Sequence, residues 1–172
     1  MVHQNKIALA VACDLGNVIG NKGEIPWQGK VRSDMKRFRT ITQGHSVVMG
    51  RKTWESIPLK FRPLPLRQNI VITRNLDFRV DDPQVIIIHS LEEAIEKAKS
   101  VKVFVIGGAE IYKLALPIAD EIYLTVIQDR FEGDAKFPIL IYDEWKILTT
   151  EVKPSDGEGD LYTSTFWHLE RK

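Results

Sequence analysis

Ile7-Ala8-Leu9-Ala10-Val11-Ala12-Cys13, running up to Asp14, is an apolar stretch with no polar interruption. A strand with one solvated face alternates apolar and polar residues, whereas an unbroken run suits a central strand covered on both faces. It is far too short to cross a bilayer. Shorter apolar runs recur at residues 46–49, 69–73, 85–88, 101–106 and 122–127. Helical patterns separate several of them. Ser33 is placed to cap a helix through about Ile41, Ser90 and Glu93 have capping-box spacing before Ala94-Ile95, and residues 109–116 read as a third short helix.

Strands alternating with helices imply a mostly parallel sheet with helices packed on it. The last third differs: residues 145–153 and 161–170 read as strands joined by the turn-rich Pro154-Ser155-Asp156-Gly157-Glu158-Gly159. The expected fold is therefore α/β and three-layered. It has a central, mostly parallel mixed sheet of about eight strands, helices on both faces and a C-terminal antiparallel hairpin. No repeat or linker interrupts the chain, so residues 1–172 read as one domain. A chain of this length buries about 70% of its extended surface, enough for a core without staples.

Composition narrows the classes. Hydrophobic residues at 44% and charged residues at 27% are ordinary for a globular protein and exclude a disordered, collagenous or bundled membrane chain. Net charge is +1, from 24 basic and 23 acidic residues, so binding to nucleic acid or membrane would need a local patch. Residues 30–39 hold five cations and one acid, which reads as a solvated helix face. Cys13 stands alone and cannot form an internal disulfide, consistent with a reducing, cytoplasmic setting. His3, His45, His89 and His168 are too scattered for a ligand motif, and no metal is expected.

Ligands of open α/β sheets gather beyond the carboxyl ends of the strands. Three strand exits carry suitable chemistry. Val103-Phe104-Val105-Ile106 runs into Gly107-Gly108, where a phosphate can approach the backbone with no side chain between; a tight turn needs the same glycines. Val47-Val48-Met49-Gly50 leads into Arg51-Lys52-Thr53, which lacks Walker spacing but brings two cations to a helix start. Ile70-Val71-Ile72-Thr73 ends in Arg74, whose planar fork suits a phosphate. Finally, Pro26-Trp27 precedes a helix in which Asp34 shares a face with Phe38, one turn on. That carboxylate is either a ligand for a cationic ring or a first-turn acid favoured by the helix dipole.

In this order and spacing the residues resemble the dihydrofolate reductase family over nearly the whole chain, from Ile7 to Glu170. The matched pieces are Val18-Ile19-Gly20, Ile25-Pro26-Trp27, Asp34 with Phe38, Val48-Met49-Gly50-Arg51-Lys52-Thr53-Trp54-Glu55-Ser56-Ile57, Arg62-Pro63-Leu64-Pro65 with Arg67, Ile106-Gly107-Gly108 with Tyr112, Tyr123-Leu124-Thr125, and Glu132-Gly133-Asp134. Each is modest alone; together they are highly specific. The resemblance implies NADPH as cofactor and dihydrofolate as small-molecule substrate. Hydride transfer and protonation of the adjacent ring nitrogen would give tetrahydrofolate for one-carbon metabolism. A cytoplasmic monomer, with neither nucleic acid nor membrane as partner, is the expectation.

On the same basis Asp34, Trp27 and Thr125 form the catalytic group. Asp34 is the one ionisable side chain at the pterin, its two oxygens matching two N–H donors; Thr125 supports it, and Trp27 closes the pocket over a water. Ala10, Val11, Met35, Phe38, Ile57, Leu64, Ile106 and Tyr112 complete the substrate site, with apolar walls that push the Asp34 pKa upward. Arg67 clamps the carboxylate of the substrate's glutamate tail. The cofactor falls to Ala12, Ile19, Gly20, Gly50, Arg51, Lys52, Thr53, Thr73, Arg74, Gly107, Gly108, Ala109, Glu110, Ile111 and Tyr112, with Arg51 and Arg74 flanking the ribose 2′-phosphate. Residues 15–24 are expected to be a mobile loop over the nicotinamide.

Three departures from the family pattern stand out. Gln28-Gly29-Lys30-Val31 lengthens the path from Trp27 to Asp34, Ala10 stands where a larger aliphatic is common, and Leu66 replaces the glycine usual before the arginine. A pyrimidine reductase of riboflavin synthesis is the alternative enzyme reading, which Asp34 and Arg67 disfavour. A non-catalytic nucleotide-binding module is disfavoured by Asp34, Trp27 and Thr125 together.

Overall fold

The unbroken apolar run becomes β1 (Lys6–Asp14), flanked on both sides within an eight-stranded sheet. The computed structural model describes residues 5–172; residues 1–4, His3 among them, lie outside the described residues. After β1 come β2 (Val18–Gly20), α1 (Arg32–Thr42), β3 (Ser46–Gly50), α2 (Arg51–Ser56), β4 (Gln68–Ile72) and β5 (Val85–Ile88). There follow α3 (Leu91–Lys97), β6 (Lys102–Val105), α4 (Ala109–Ala115), β7 (Glu121–Ile127), β8 (Ala135–Lys136), β9 (Trp145–Lys153) and β10 (Ser164–Arg171).

Strand order is β5-β4-β3-β6-β1-β7-β10-β9, and β10 alone runs against its neighbours. Because side chains alternate along a strand, β1 feeds two cores. Ile7, Leu9, Val11 and Cys13 join Leu91, Ile95, Ile111 and Tyr112 under α3 and α4. Ala8 and Ala10 join Val47, Met49, Phe104 and Trp54 under α1 and α2, with Phe38 and Ile41 packed on them. The expected three layers and C-terminal hairpin are therefore present. Burial of each large side chain contributes about 1.5–3 kcal/mol, so both faces of the run are committed to the core.

Several local expectations need correction. Ser33 does not cap α1. The cap position is Val31, without a side-chain hydrogen bond, and the Ser33 amide instead donates to Asp160 Oδ1 at 2.9 Å. The last strand begins at Ser164, not at residue 161, because the Leu161 amide is engaged by the Lys30 carbonyl at 2.8 Å. The capping box before α3 is half realised: the Glu93 amide donates to Ser90 Oγ at 3.1 Å, while the Glu93 carboxylate accepts from the amide of His89. Nor is the stretch 15–24 wholly loop, since β2 pairs with β8 in a separate two-stranded sheet.

The lengthened path after Trp27 is absorbed by the hairpin turn. The Lys30 amide donates to the Trp27 carbonyl and Gly29 takes φ +76°, so the chain folds back on itself. Val31 is then buried and bridges Asp160, and the Arg32 amide donates to the Gly159 carbonyl.

Candidate active site

From β1 the chain departs to β3 on one side, and from β6 to β7 on the other, carrying α1 and α4 to opposite faces. Such a reversal opens a crevice at the strand ends between β6 and β1. Asp34 occupies the first turn of α1, where the helix dipole favours a carboxylate. Burial nevertheless pushes its pKa above the ordinary 3.8, and the charge of Asp160 adds to this. The Thr125 side chain, by hydrogen bonding, and the Arg37 cation both oppose the shift. Thr125 is itself buried and lies beside Ala12 of β1 and Phe166 of β10.

Tyr112 ties the crevice floor together. Its hydroxyl donates to the Ala10 carbonyl at 2.7 Å, and burial first, then the charge of Asp34, pushes its pKa upward. Trp27 is 3% exposed and packs with Val31 and Ile127, its ring 5.3 Å from that of Phe131. Phe38, Ile57, Leu64 and Ile106 are partly buried against the α1-side core. Met35, next to Asp34 in the first turn of α1, is 49% exposed.

Arg67 is held by neutral acceptors. Its guanidinium donates to Thr42 Oγ1 at 2.8 Å, to the Pro65 carbonyl at 2.6 Å and to the Arg39 carbonyl at 3.1 Å. Burial, then the Arg39 cation, draws its pKa down from the ordinary value. The result is an oriented cation with no carboxylate partner among the described residues. Leu66, just before it, has φ +59°, a left-handed conformation that glycine adopts without strain.

At the opposing exits the glycines leave room for nothing larger. The Gly50 amide donates to the Gly107 carbonyl at 2.8 Å, joining the ends of β3 and β6. A Cβ on Gly107 would lie 3.1 Å from the Tyr112 ring, and one on Gly108 3.2 Å from Thr53 Oγ1. With no Cβ at these three positions, the backbone carries no side chain that would stand between it and the phosphates of a dinucleotide. Arg51 makes one long ion pair with Glu55 at 3.7 Å, while Lys52 and Arg74 are exposed. Thr73 is buried in its turn, where its hydroxyl accepts from the Asn75 amide. Ile111 is buried in the core, and its side chain lies against Gly50. Ala109 and Glu110 open α4, Val11 is core, and Ile19 and Gly20 lie in β2, partly buried.

Two neighbours of Asp34 escape sequence reasoning. Arg37 lies 3.7 Å over the Phe166 ring and pairs with Glu151 at 2.9 Å, and Asp160 reaches α1 from the hairpin turn. Nothing local signals either contact. Among the described residues no group of three or more His, Cys, Asp or Glu could hold a metal ion, and no helix is long and apolar enough to cross a membrane.

Comparison with known proteins adds independent findings. A family model described as dihydrofolate reductase matches residues 6–171. The dihydrofolate reductase of Staphylococcus haemolyticus is 38% identical over 160 residues, covering 91% of this chain and 92% of that protein. That of Haemophilus influenzae is 42% identical over 166 residues, covering 96% and 98%. A solved structure of dihydrofolate reductase from Enterococcus faecalis, complexed with NADP(H) and RAB-propyl, superposes with a TM-score of 0.87 at 32% identity, covering 98% of each chain.

Proposed function

The chain belongs to the dihydrofolate reductase family, and from that membership we infer how its own residues carry the reaction. The enzyme reduces 7,8-dihydrofolate to tetrahydrofolate with NADPH. NADPH, when bound, supplies the hydride. The protein's share is to bind, orient, exclude water and manage one proton.

Asp34 carries that share. Its two oxygens meet two adjacent N–H donors of the pterin, and a carboxyl raised by burial retains its proton at a higher pH than an exposed one. Thr125 orients it, and buried Trp27, an N–H donor only, holds a water for proton delivery to the ring nitrogen. Phe38, Ile57 and Leu64 wall the ring. Arg67, already oriented by three neutral acceptors, takes the glutamate tail's carboxylate. Gly50, Gly107 and Gly108 receive the cofactor phosphates, and Arg51 and Arg74 flank the 2′-phosphate. The observation that carries this reading is the placement of Asp34 in the first turn of α1 beside buried Thr125 and the Tyr112–Ala10 floor, where desolvation favours its protonated form.

A single-domain monomer acting in the cytoplasm completes the reading: the single buried cysteine suits a reducing compartment, and the near-neutral charge offers no global attraction to nucleic acid or membrane. The test of activity is the loss of absorbance at the reduced-nicotinamide band when dihydrofolate is added, with a riboflavin precursor beside it. Loss with dihydrofolate alone is expected; loss with the precursor alone would overturn the assignment.

A further inference from the structure

Although α1 has eleven residues, it begins without a side-chain cap of its own. The cap comes from the far end of the sequence: Asp160, 4% exposed, accepts the Ser33 amide through Oδ1 at 2.9 Å. Four further contacts fix Asp160 in place. Its backbone bridges Val31, its amide donates to Asp156 Oδ1 at 2.9 Å, and its carbonyl accepts from Ser155 Oγ at 2.8 Å and from the Asp156 amide at 2.9 Å. The Asp160 side chain so held lies against the free N–H groups and the positive dipole end of the helix start. Ser33 immediately precedes Asp34, so this charge stands beside the carboxyl on which the reaction turns.

We propose that Asp160 is the positioning residue of Asp34: a second carboxylate, delivered by the C-terminal hairpin, that fixes the start of α1 and sets the charge against which Asp34 works. The inference rests on the assignment of Asp34 given above. The groups facing Asp34 are Arg37 on its own helix, Thr125 on β7, Tyr112 on α4 and Asp160 in the hairpin turn. Arg37, the one cation among them, is drawn toward the hairpin by Glu151 and the Phe166 ring. The hairpin thus engages the cation near Asp34 and presents the anion. Both actions favour the protonated carboxyl, as two carboxylates sharing a site do elsewhere.

Charge and cap separate by substitution. Asp160→Asn and the smaller Asp160→Ser keep an oxygen for the Ser33 amide and lose the charge; Asp160→Ala loses both. In the neutral capping variants the high-pH fall in the hydride-transfer rate moves to lower pH by about half a unit to one unit. Protection of the Ser33 amide from hydrogen exchange persists. Asp160→Ala shows the same pH shift, loses that protection, and melts about 2–4 °C lower. In an Asp34→Asn background the Asp160 substitutions move no pH midpoint. If Asp34→Asn alters the profile while Asp160→Asn and Asp160→Ser leave it superimposed on the parent, Asp34 keeps its role and this inference falls. If Asp34→Asn leaves the profile unmoved, the assignment of Asp34 fails first, and this one with it.

Discussion

Strand β7 meets two carboxylates and treats them in opposite ways. Glu121 opens the strand and is buried among partners: Lys102 at 2.7 Å, Lys6, the Tyr123 hydroxyl at 2.9 Å and His168 Nε2 at 3.3 Å. Burial alone would raise its pKa, yet the two lysines and the tyrosine pull it down to about 2. Further along the same strand Thr125 meets Asp34, whose single hydrogen-bonding hydroxyl and one nearby cation do not overcome desolvation, so its pKa rises. Desolvation acts on both acids, Glu121 buried and Asp34 partly so; what differs is whether the fold surrounds them with charge of opposite sign. The first arrangement ties β1, β6 and β7 together at their starts, and the second keeps a proton available at their ends.

Asp34→Asn gives the sharpest break. Turnover falls by about two to four decades, with NADPH affinity nearly unchanged, when single-turnover rates and cofactor titrations are compared. Stability moves the other way. A carboxyl whose folded pKa lies above its unfolded one contributes stability at low pH and loses it as pH rises through the folded value. The variant therefore melts above the parent at neutral pH, and the gap closes below the ordinary 3.8.

Glu121→Gln is the mirror experiment. It leaves turnover per folded molecule unchanged and costs about 1.5–3 kcal/mol in denaturant unfolding at neutral pH. The depressed pKa makes this contribution present above 4.5 and lost as pH falls toward about 2. Parent and variant stabilities therefore converge in acid. The cations divide in the same way: Lys102 is committed to Glu121, whereas Arg67 donates only to neutral oxygens. Arg67→Ala raises the KM for dihydrofolate about 10- to 100-fold in steady-state assays and leaves that for NADPH in place. The smallest effect belongs to Leu66, 72% exposed at φ +59°. Leu66→Gly relieves the left-handed strain, offset in part by glycine's entropy, and raises unfolding stability by about 0.5–1 kcal/mol.

What was legible in the sequence was local. The unbroken run of β1 announced a strand covered on both faces, and Asp34 with Phe38 announced a helix face carrying an acid beside an aromatic. The upward direction of Asp34's pKa followed from the same apolar setting. The contacts that tune the acid were not legible, because they join segments distant in the chain. Ser33 has the right chemistry for a cap, but the hairpin places Asp160, 127 residues away, on its amide instead. Residues 15–24 read as loop because their glycines and asparagine suit turns, while the pairing of β2 depends on β8. The family's glycine before the arginine is replaced by Leu66, and only the backbone shows that leucine there takes a left-handed conformation, which glycine adopts without strain.

The most direct test is a carbon-13 titration of the side-chain carboxyls of Asp34 and Glu121 in the unliganded enzyme. Asp34 is expected to titrate above 3.8 and Glu121 near 2. Asp34 titrating at or below 3.8, with Glu121 where expected, would show that the crevice stabilises a charged carboxylate and would contradict the role assigned to it.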